Sequence, residues 1–294
     1  MSEAIIDIKN LTREFGSKRA LDDVTMTVQR GTVMGLVGEN GAGKTTLIKH
    51  ILGLLKAQQG TVSVFGMDPV SNPEGVLSKI GYLSEEGDLP TWMRVHELMS
   101  YSAAFYPTWD NEYAMQLLNE FKLDPSAKLN KMSKGQRSRA GLLVAMAYRP
   151  QLLVLDEPSS GLDPIVRKDI LGAIIRMIAD DGRTVLFSSH LLSEVERVAD
   201  QISMVKNGKI LISDSLEDVK ASHHRATLLF DQPQNERPNI EGSLTWSGGG
   251  REWQGTFRSD KATLEKAAQL LGAKIVERGS LSLEEIFVAQ VGAA

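Results

Sequence analysis

VGENGAGKTT, Val37 to Thr46, is the stretch that decides the fold of this chain. It follows the apolar run VMGLV and opens the helical pattern LIKHILGLL. Gly38, Gly41 and Gly43 let the backbone turn tightly and aim successive N–H groups inward, and the helix adds its partial positive charge. Such a loop cradles phosphate. Lys44 is placed to reach the β- and γ-phosphates of a nucleotide, the Thr45 hydroxyl to coordinate Mg²⁺, and Thr46 to meet the α-phosphate. Glu39, Asn40 and Ala42 complete the loop. A plain glycine-rich turn needs neither the strand before it nor the helix after it.

LLVLDEP supplies the second half of the chemistry. Four apolar residues form a buried strand, and Asp156 emerges at its C-terminal end, where open α/β sheets place ligand groups. Asp156 is expected to hold Mg²⁺, and Glu157 to orient and deprotonate an attacking water. Phosphoryl transfer also needs charge compensation at the departing γ-phosphate. TVLFSSH ends a third buried strand and offers His190 for that place. Taken separately, the acidic pair also reads as a helix cap and the histidine as structural; with the phosphate loop, the catalytic reading governs.

Working outward, IIDIKNL, VTMTV and TVSVF have the β-branched alternation of an antiparallel sheet, whereas VMGLV, LLVLD and TVLFS are the dense runs of buried parallel strands. AGKTTLIKHILGLL reads as one helix with Leu47, Ile51 and Leu54 in a stripe. From about residue 86 to 150 the pattern is mostly helical, through MRVHELMSYSAAFY, NEYAMQLLNEF and GQRSRAGLLVAMAY. Composition shifts after about residue 220. From Lys220 onwards nine basic and nine acidic residues cancel, and TLLFD, SLTWS and WQGTF read as short strands. KATLEKAAQLLG reads as a helix ended by Gly272, and GSLSLEEIFVAQV as a capped closing helix. The expected domains are residues 1–220 and a small α+β domain at 221–294.

Composition narrows the partners. The 294 residues are 42% hydrophobic and 24% charged, the proportions of a globular protein. A net charge near −4, without a basic tail, gives no support to a nucleic-acid partner. The absence of cysteine excludes disulfides and thiolate metal sites. The start, MSEAIIDIKN, reads as no signal peptide, and GLLVAMAY is far short of the ~20 apolar residues of a spanning helix.

These residues together resemble the ATP-binding subunit of an ABC transporter, over about residues 3 to 220. VGENGAGKTT resembles the family's Walker A loop, LLVLDEP its Walker B strand, SSGLD (Ser159 to Asp163) its D-loop, and the histidine of SSHLL its switch histidine. The fold implied is α/β: a P-loop NTPase core of ABC type with an antiparallel β subdomain and a helical subdomain, plus the small C-terminal α+β domain. MSKGQ, Met132 to Gln136, resembles the family signature, usually written LSGGQ. In that family each ATP lies between one subunit's phosphate loop and the other's signature. The resemblance therefore implies that Ser133 and the Gly135 N–H contact the γ-phosphate held by a partner's Lys44, with Gln136 supporting the start of the signature helix.

The chain departs from the family pattern at two places. Lys134 stands where a glycine is usual; its N–H can serve if the position needs no positive φ. Its side chain is read as lying in solvent at the rim; the other reading has its charge aiding closure on phosphate. Met132 for Leu conserves volume. In IGYLSEEGDL, Glu85 stands where the family usually has glutamine, and is expected at the Mg²⁺ edge; the competing reading gives the reach to Glu86. Phe15, in the segment that resembles the family's adenine-stacking region, is an aromatic platform or a core residue. Asp163 resembles the D-loop acid that links the two sites, with Lys134 a second candidate for dimer coupling.

The cofactors implied are ATP and Mg²⁺, and the partners are integral membrane subunits and a second ATPase, identical or related. ATP closes the dimer and hydrolysis reopens it. Docking is expected near the Glu85 loop, with Trp92, Tyr106 and Trp109 as contact candidates. The segment SEEGDLPTWMRVHEL and the ending SLEEIFV resemble bacterial exporter ATPases, so the expected work is export from the cytoplasmic face of the cell membrane. The alternatives are an importer ATPase, or a soluble ABC ATPase that moves a macromolecular partner.

Overall fold

In the computed structural model, residues 4–85 and 89–293 are described, apart from the side chains of residues 173, 174, 176–181 and 293. Ala4–Phe15 (β1) pairs antiparallel with Lys18–Gln29 (β2) and with Gln59–Val64 (β4), giving a three-stranded sheet in the order β2-β1-β4. This is the antiparallel subdomain expected from the alternation of the first 65 residues.

The second sheet is built from residues buried on both faces. Val33–Gly38 (β3), Leu152–Leu155 (β6) and Thr184–Ser189 (β7) are buried throughout, as their continuous apolar character requires. They lie in a six-stranded sheet of order β5-β6-β7-β3-β8-β9 with Ile80–Leu83 (β5), Gln201–Lys206 (β8) and Lys209–Ser215 (β9). The ladders from β5 through β8 are parallel. The sequence patterns did not mark β5, β8 or β9. The order β6-β7-β3 sets three strand ends side by side, and these ends carry Asp156–Glu157, His190 and the glycine-rich loop.

Lys44–Ile51 (α1) packs between the two sheets. Its Leu47, Ile48 and Ile51, with Leu52, join Met34 and Leu36 of β3 and the inner face of the antiparallel sheet in one core. Each buried side chain of this kind stabilises the fold by roughly 1.5–3 kcal/mol. The helix is shorter than its apolar pattern: it stops at Ile51, Gly53 turns at φ 70°, and Leu54 is exposed rather than part of the buried stripe.

Pro73–Leu77 (α2) precedes β5, and Val95–Ala103 (α3), Asn111–Glu120 (α4) and Lys134–Ala147 (α5) form the helical stretch before β6. Pro164–Asp181 (α6) and Leu192–Val198 (α7) flank β7. The chain divides into two compact units between Ser213 and Asp214, a few residues before the compositional shift at 220. In the second unit, Leu216–Ser222 (α8) leads into His223–Gln234 (β10), Ser243–Arg258 (β11), Lys261–Leu270 (α9), Ala273–Ser280 (β12) and Leu283–Ala293 (α10). Its sheet order is β11-β10-β12, and Leu228, Phe230, Trp253 and Phe257 pack against Leu264 and Ala268 of α9.

SLTWS and WQGTF both lie in strand, within the continuous β11; Gly248 and Gly250 between them take positive φ, and the Arg258 N–H donates to Gly242 O at 2.7 Å. Gly272, at φ 69°, follows the end of α9. Ser282 starts α10 with a capping box: its hydroxyl accepts from the Glu285 N–H at 3.3 Å, and its own N–H donates to Glu285 at 2.8 Å.

Candidate functional site

A cavity of about 340 Å³ lies against the loop that joins β3 to α1. Asn40, Gly41, Gly43, Lys44, Thr45 and Thr46 line it, together with Lys18, Ala20, Glu85 and Glu157. Gly41 and Gly43 turn at φ 81° and 117°, conformations that a side chain resists. Gly38 has a different reason to be bare: a Cβ there would stand 2.4 Å from Val205 O of the neighbouring strand. Close approach of β8, not a left-handed turn, explains this glycine.

Lys44 is the first residue of α1 and is buried. Its Nζ donates to Gly38 O at 2.6 Å and Glu39 O at 3.2 Å, and lies 3.0 Å from Glu157 Oε1. The other oxygen of Glu157, Oε2, is 2.7 Å from His190 Nδ1. One carboxylate thus joins the cation of the phosphate loop to the imidazole after β7. Glu157 is in contact with both Lys44 and His190.

The backbone at Glu157 is left-handed, at φ 47°, an uncommon conformation for a residue with a side chain. Ser188, fully buried in β7, holds it there. Its hydroxyl accepts from the Glu157 N–H at 2.8 Å and donates to Asp156 Oδ1 at 2.7 Å. This serine was not singled out in the sequence, because SSH draws the eye to the histidine. Asp156 is buried beside the cavity and does not line it.

Glu85 does line the cavity, and its Oε1 accepts from the Ser160 hydroxyl at 3.2 Å. Its competitor Glu86 lies outside the described residues. Lys18 and Ala20, at the start of β2, also line the cavity and carry no motif that would have announced them. Phe15 is 46% exposed with the Arg13 guanidinium 4.6 Å from its ring centre, so it is not a core residue; it does not line the cavity.

Ser133, Lys134, Gly135 and Gln136 are absent from this cavity lining. Ser133 is the N-cap of α5: its hydroxyl accepts from the Gln136 N–H at 3.2 Å, and its own N–H donates to Gln136 Oε1 at 2.9 Å. Gly135 is buried where a Cβ would come 2.9 Å from Val166. Lys134 opens the helix with no positive φ, as its place in the motif required, and its Nζ lies 3.2 Å from where a Cβ on Gly161 would stand. Asp163 accepts from the N–H groups of Ile165 and Val166 at 2.9 and 3.1 Å and thereby caps α6.

The profile of the ABC transporter family matches residues 21–160. The Bacillus subtilis (strain 168) protein YdbJ, an uncharacterized ABC transporter ATP-binding protein, is 33% identical over 271 residues, 92% of this chain and 85% of its own length. The chain belongs to the ABC transporter ATP-binding subunits. The bacitracin transport ATP-binding protein BcrA of Bacillus licheniformis is 31% identical over 223 residues, 75% of this chain and 73% of its own. A solved ATP-binding subunit of an ABC transporter matches with a TM-score of 0.68 at 31% identity, over 74% of this chain and 92% of that one. As an ABC ATPase the protein powers transport through partner membrane subunits.

Proposed function

We propose that this ABC ATPase hydrolyses ATP at composite sites in a dimer, and that closure of the dimer drives export through separate membrane subunits. The observation that carries this reading is the contact chain Lys44–Glu157–His190, with 3.0 and 2.7 Å between successive partners. Lys44 holds phosphate oxygens, Glu157 orients the attacking water and accepts its proton, and His190 positions Glu157 and the γ-phosphate. Thr46, Asn40 and the loop N–H groups bind the remaining phosphates, and Phe15 offers a stacking face to the base.

The residues fit Mg²⁺. Thr45 and Glu85 line the cavity with hard oxygen donors, and Mg²⁺ takes one or two carboxylates and completes its shell with water and phosphate oxygens. Thr45, Asp156 and Glu85 are the hard oxygen donors that would hold it. When bound, the ion screens the charge of the β- and γ-phosphates.

The second half of each site comes from Ser133 and Gly135 of the other subunit, with Lys134 and Asp163 coupling the two. Support comes from the capped start of α5, where Ser133 and Lys134 are exposed and none of these groups lines the chain's own cavity. The membrane partner docks in an apolar cavity of about 330 Å³ lined by Leu52, Leu54, Leu77, Tyr82, Tyr106, Val144 and Tyr148. Tyr106 stacks flat on Tyr148 there, whereas Trp92 is largely exposed and Trp109 is half-buried with its ring N–H on Asn111. The subunit works at the cytoplasmic face of the membrane, held by these partners. No helix among the described residues is long and apolar enough to cross a bilayer.

The test is the solution mass of Glu157→Gln with and without Mg-ATP, with Lys44→Ala as control. ATP is expected to trap a dimer of the first variant and not of the second. A monomer that binds ATP and stays monomeric would overturn the homodimeric site and direct the search to a related second ATPase. Direction is read from substrate movement in vesicles carrying the complete transporter; uptake in the import sense refutes export.

A further inference from the structure

Two loops carry the reacting groups. One leaves β6 with Asp156 and Glu157; the other leaves β7 with His190 and runs into α7. Ser188 and His190 tie the loops together at the reacting groups themselves, through the Asp156 carboxylate and both the N–H and the carboxylate of Glu157. A further tie lies beyond the chemistry. The Ser159 hydroxyl donates to Glu194 Oε2 at 2.5 Å, with Ser159 2% and Glu194 8% exposed.

A carboxylate this deep is costly unless it is hydrogen-bonded, and its hydrogen bonds are stronger than neutral ones. Ser159 is two residues after Glu157, and Glu194 is in the first turn of α7, four residues after His190. Neither lines the cavity, and neither has a place in the phosphoryl-transfer steps. What their tie bears on is the left-handed Glu157, two residues before Ser159. A non-glycine residue at φ 47° persists only where its surroundings over-determine it. Ser188 grips Glu157 on one side. On the other side the loop turns back, with the Ser160 N–H donating to Glu157 O at 3.1 Å, and Ser159 is the point where that turn is fastened to α7.

We infer that Glu194 is a positioning residue: through Ser159 it holds the turn after Glu157 against α7, so that Glu157 stays strained and within reach of His190. This rests on the ATPase reading for its effect on turnover, not for its effect on the loop. Removing the tie frees the turn, and Glu157 relaxes away from the place where it meets the water. Substrate binding at the glycine-rich loop is untouched, so the cost falls on kcat and not on KM.

The experiment uses the full chain with Ser159→Ala, Ser159→Thr, Glu194→Gln, and the double variant Ser159→Ala/Glu194→Gln. Steady-state ATPase kinetics are read beside amide hydrogen exchange over residues 156–163. Ser159→Ala is expected to lower kcat roughly tenfold with KM within about twofold, as for loss of a hydrogen bond to a charged group. It also speeds exchange in that segment. Ser159→Thr restores both, and the double variant is no slower than the worse single one. Unchanged kcat and exchange in Ser159→Ala, or multiplying effects in the double variant, overturn the inference. Absence of turnover in the wild-type chain counts against the ATPase reading alone, and the exchange result then decides the tie. If Glu194→Gln does not fold, the Ala and Thr variants at Ser159 carry the test by themselves.

Discussion

Ser188→Ala tests how the site is held. The hydroxyl is fully buried, accepts the Glu157 N–H at 2.8 Å and donates to Asp156 Oδ1 at 2.7 Å. Alanine leaves a void of one hydroxyl, smaller than a water, so neither group finds a substitute partner. An orphaned buried N–H costs about 1–3 kcal/mol, and a carboxylate that loses one bond about 1.5–3 kcal/mol. Taking the lower half of each range, because neighbours relax, the loss is about 3 kcal/mol. For a unit of this size that lowers Tm by roughly 6–12 °C. The left-handed backbone at Glu157 also loses its anchor, and release of roughly 1–3 kcal/mol of strain moves the carboxylate off Lys44 and His190. ATP turnover falls at least about tenfold. Scanning calorimetry and ATPase assays on the same preparation measure both. A Tm within about 2 °C of wild type, with turnover unchanged, refutes the reasoning.

Acid should destabilise the fold. Burial pushes the pKa of His50, His223 and His224 down, with help from Arg13 at His50, Arg258 and His224 at His223, and Arg278 and Lys261 at His224. The unfolded chain then binds more protons than the native one once pH falls below ~6.5. Stability is full above that value and drops on acidification, by at most about 1.4 kcal/mol per pH unit for each histidine; urea midpoints at pH 7.5 and 5 check it, and His224→Phe should flatten the slope. Gly38→Ala sets a Cβ 2.4 Å from Val205 O and should cost about 1–3 kcal/mol in chemical denaturation, whereas a loss under ~0.5 kcal/mol would show that β8 yields. Glu85 and Lys134 face adjacent residues of one loop, Ser160 and Gly161. Glu85→Gln and Lys134→Gly should therefore be non-additive in a double-mutant cycle on ATPase rate, by about 0.5 kcal/mol or more; strict additivity removes that coupling.

The order of motifs carried the core. A glycine-rich loop between a buried strand and a helix has few uses other than phosphate, and acid or histidine at the ends of apolar runs falls where parallel strands present ligands. Glu157 and His190 could be named from local chemistry because each follows a strand end, and Lys44 because it opens the helix after the glycine-rich loop; strand ends can be read from runs of apolar residues. The antiparallel sheet was equally legible from its period-two alternation. Elsewhere the pattern ran out. IGYL in β5 is only four residues, too short to show a period, and β8 and β9 are partly polar, so nothing local separated them from loop. The apolar stripe of α1 continued to Leu54 on paper, while Gly53 ended the helix first.

Residue types and spacing alone pointed to the phosphate loop, the carboxylates and His190 as candidates, because each proposed role needs a particular group at a fixed distance along one segment. Only tertiary structure decided what holds those groups. Ser188, Ser159 and Glu194 act through hydrogen bonds between segments about 30 residues apart, and no local period records them. Gly38 needs to be bare because of Val205, far away in sequence. Lys18 and Ala20 reach the cavity because β2 runs past it. Short-range pattern reports the chemistry that one segment can do, whereas packing between segments sets the geometry in which it is done.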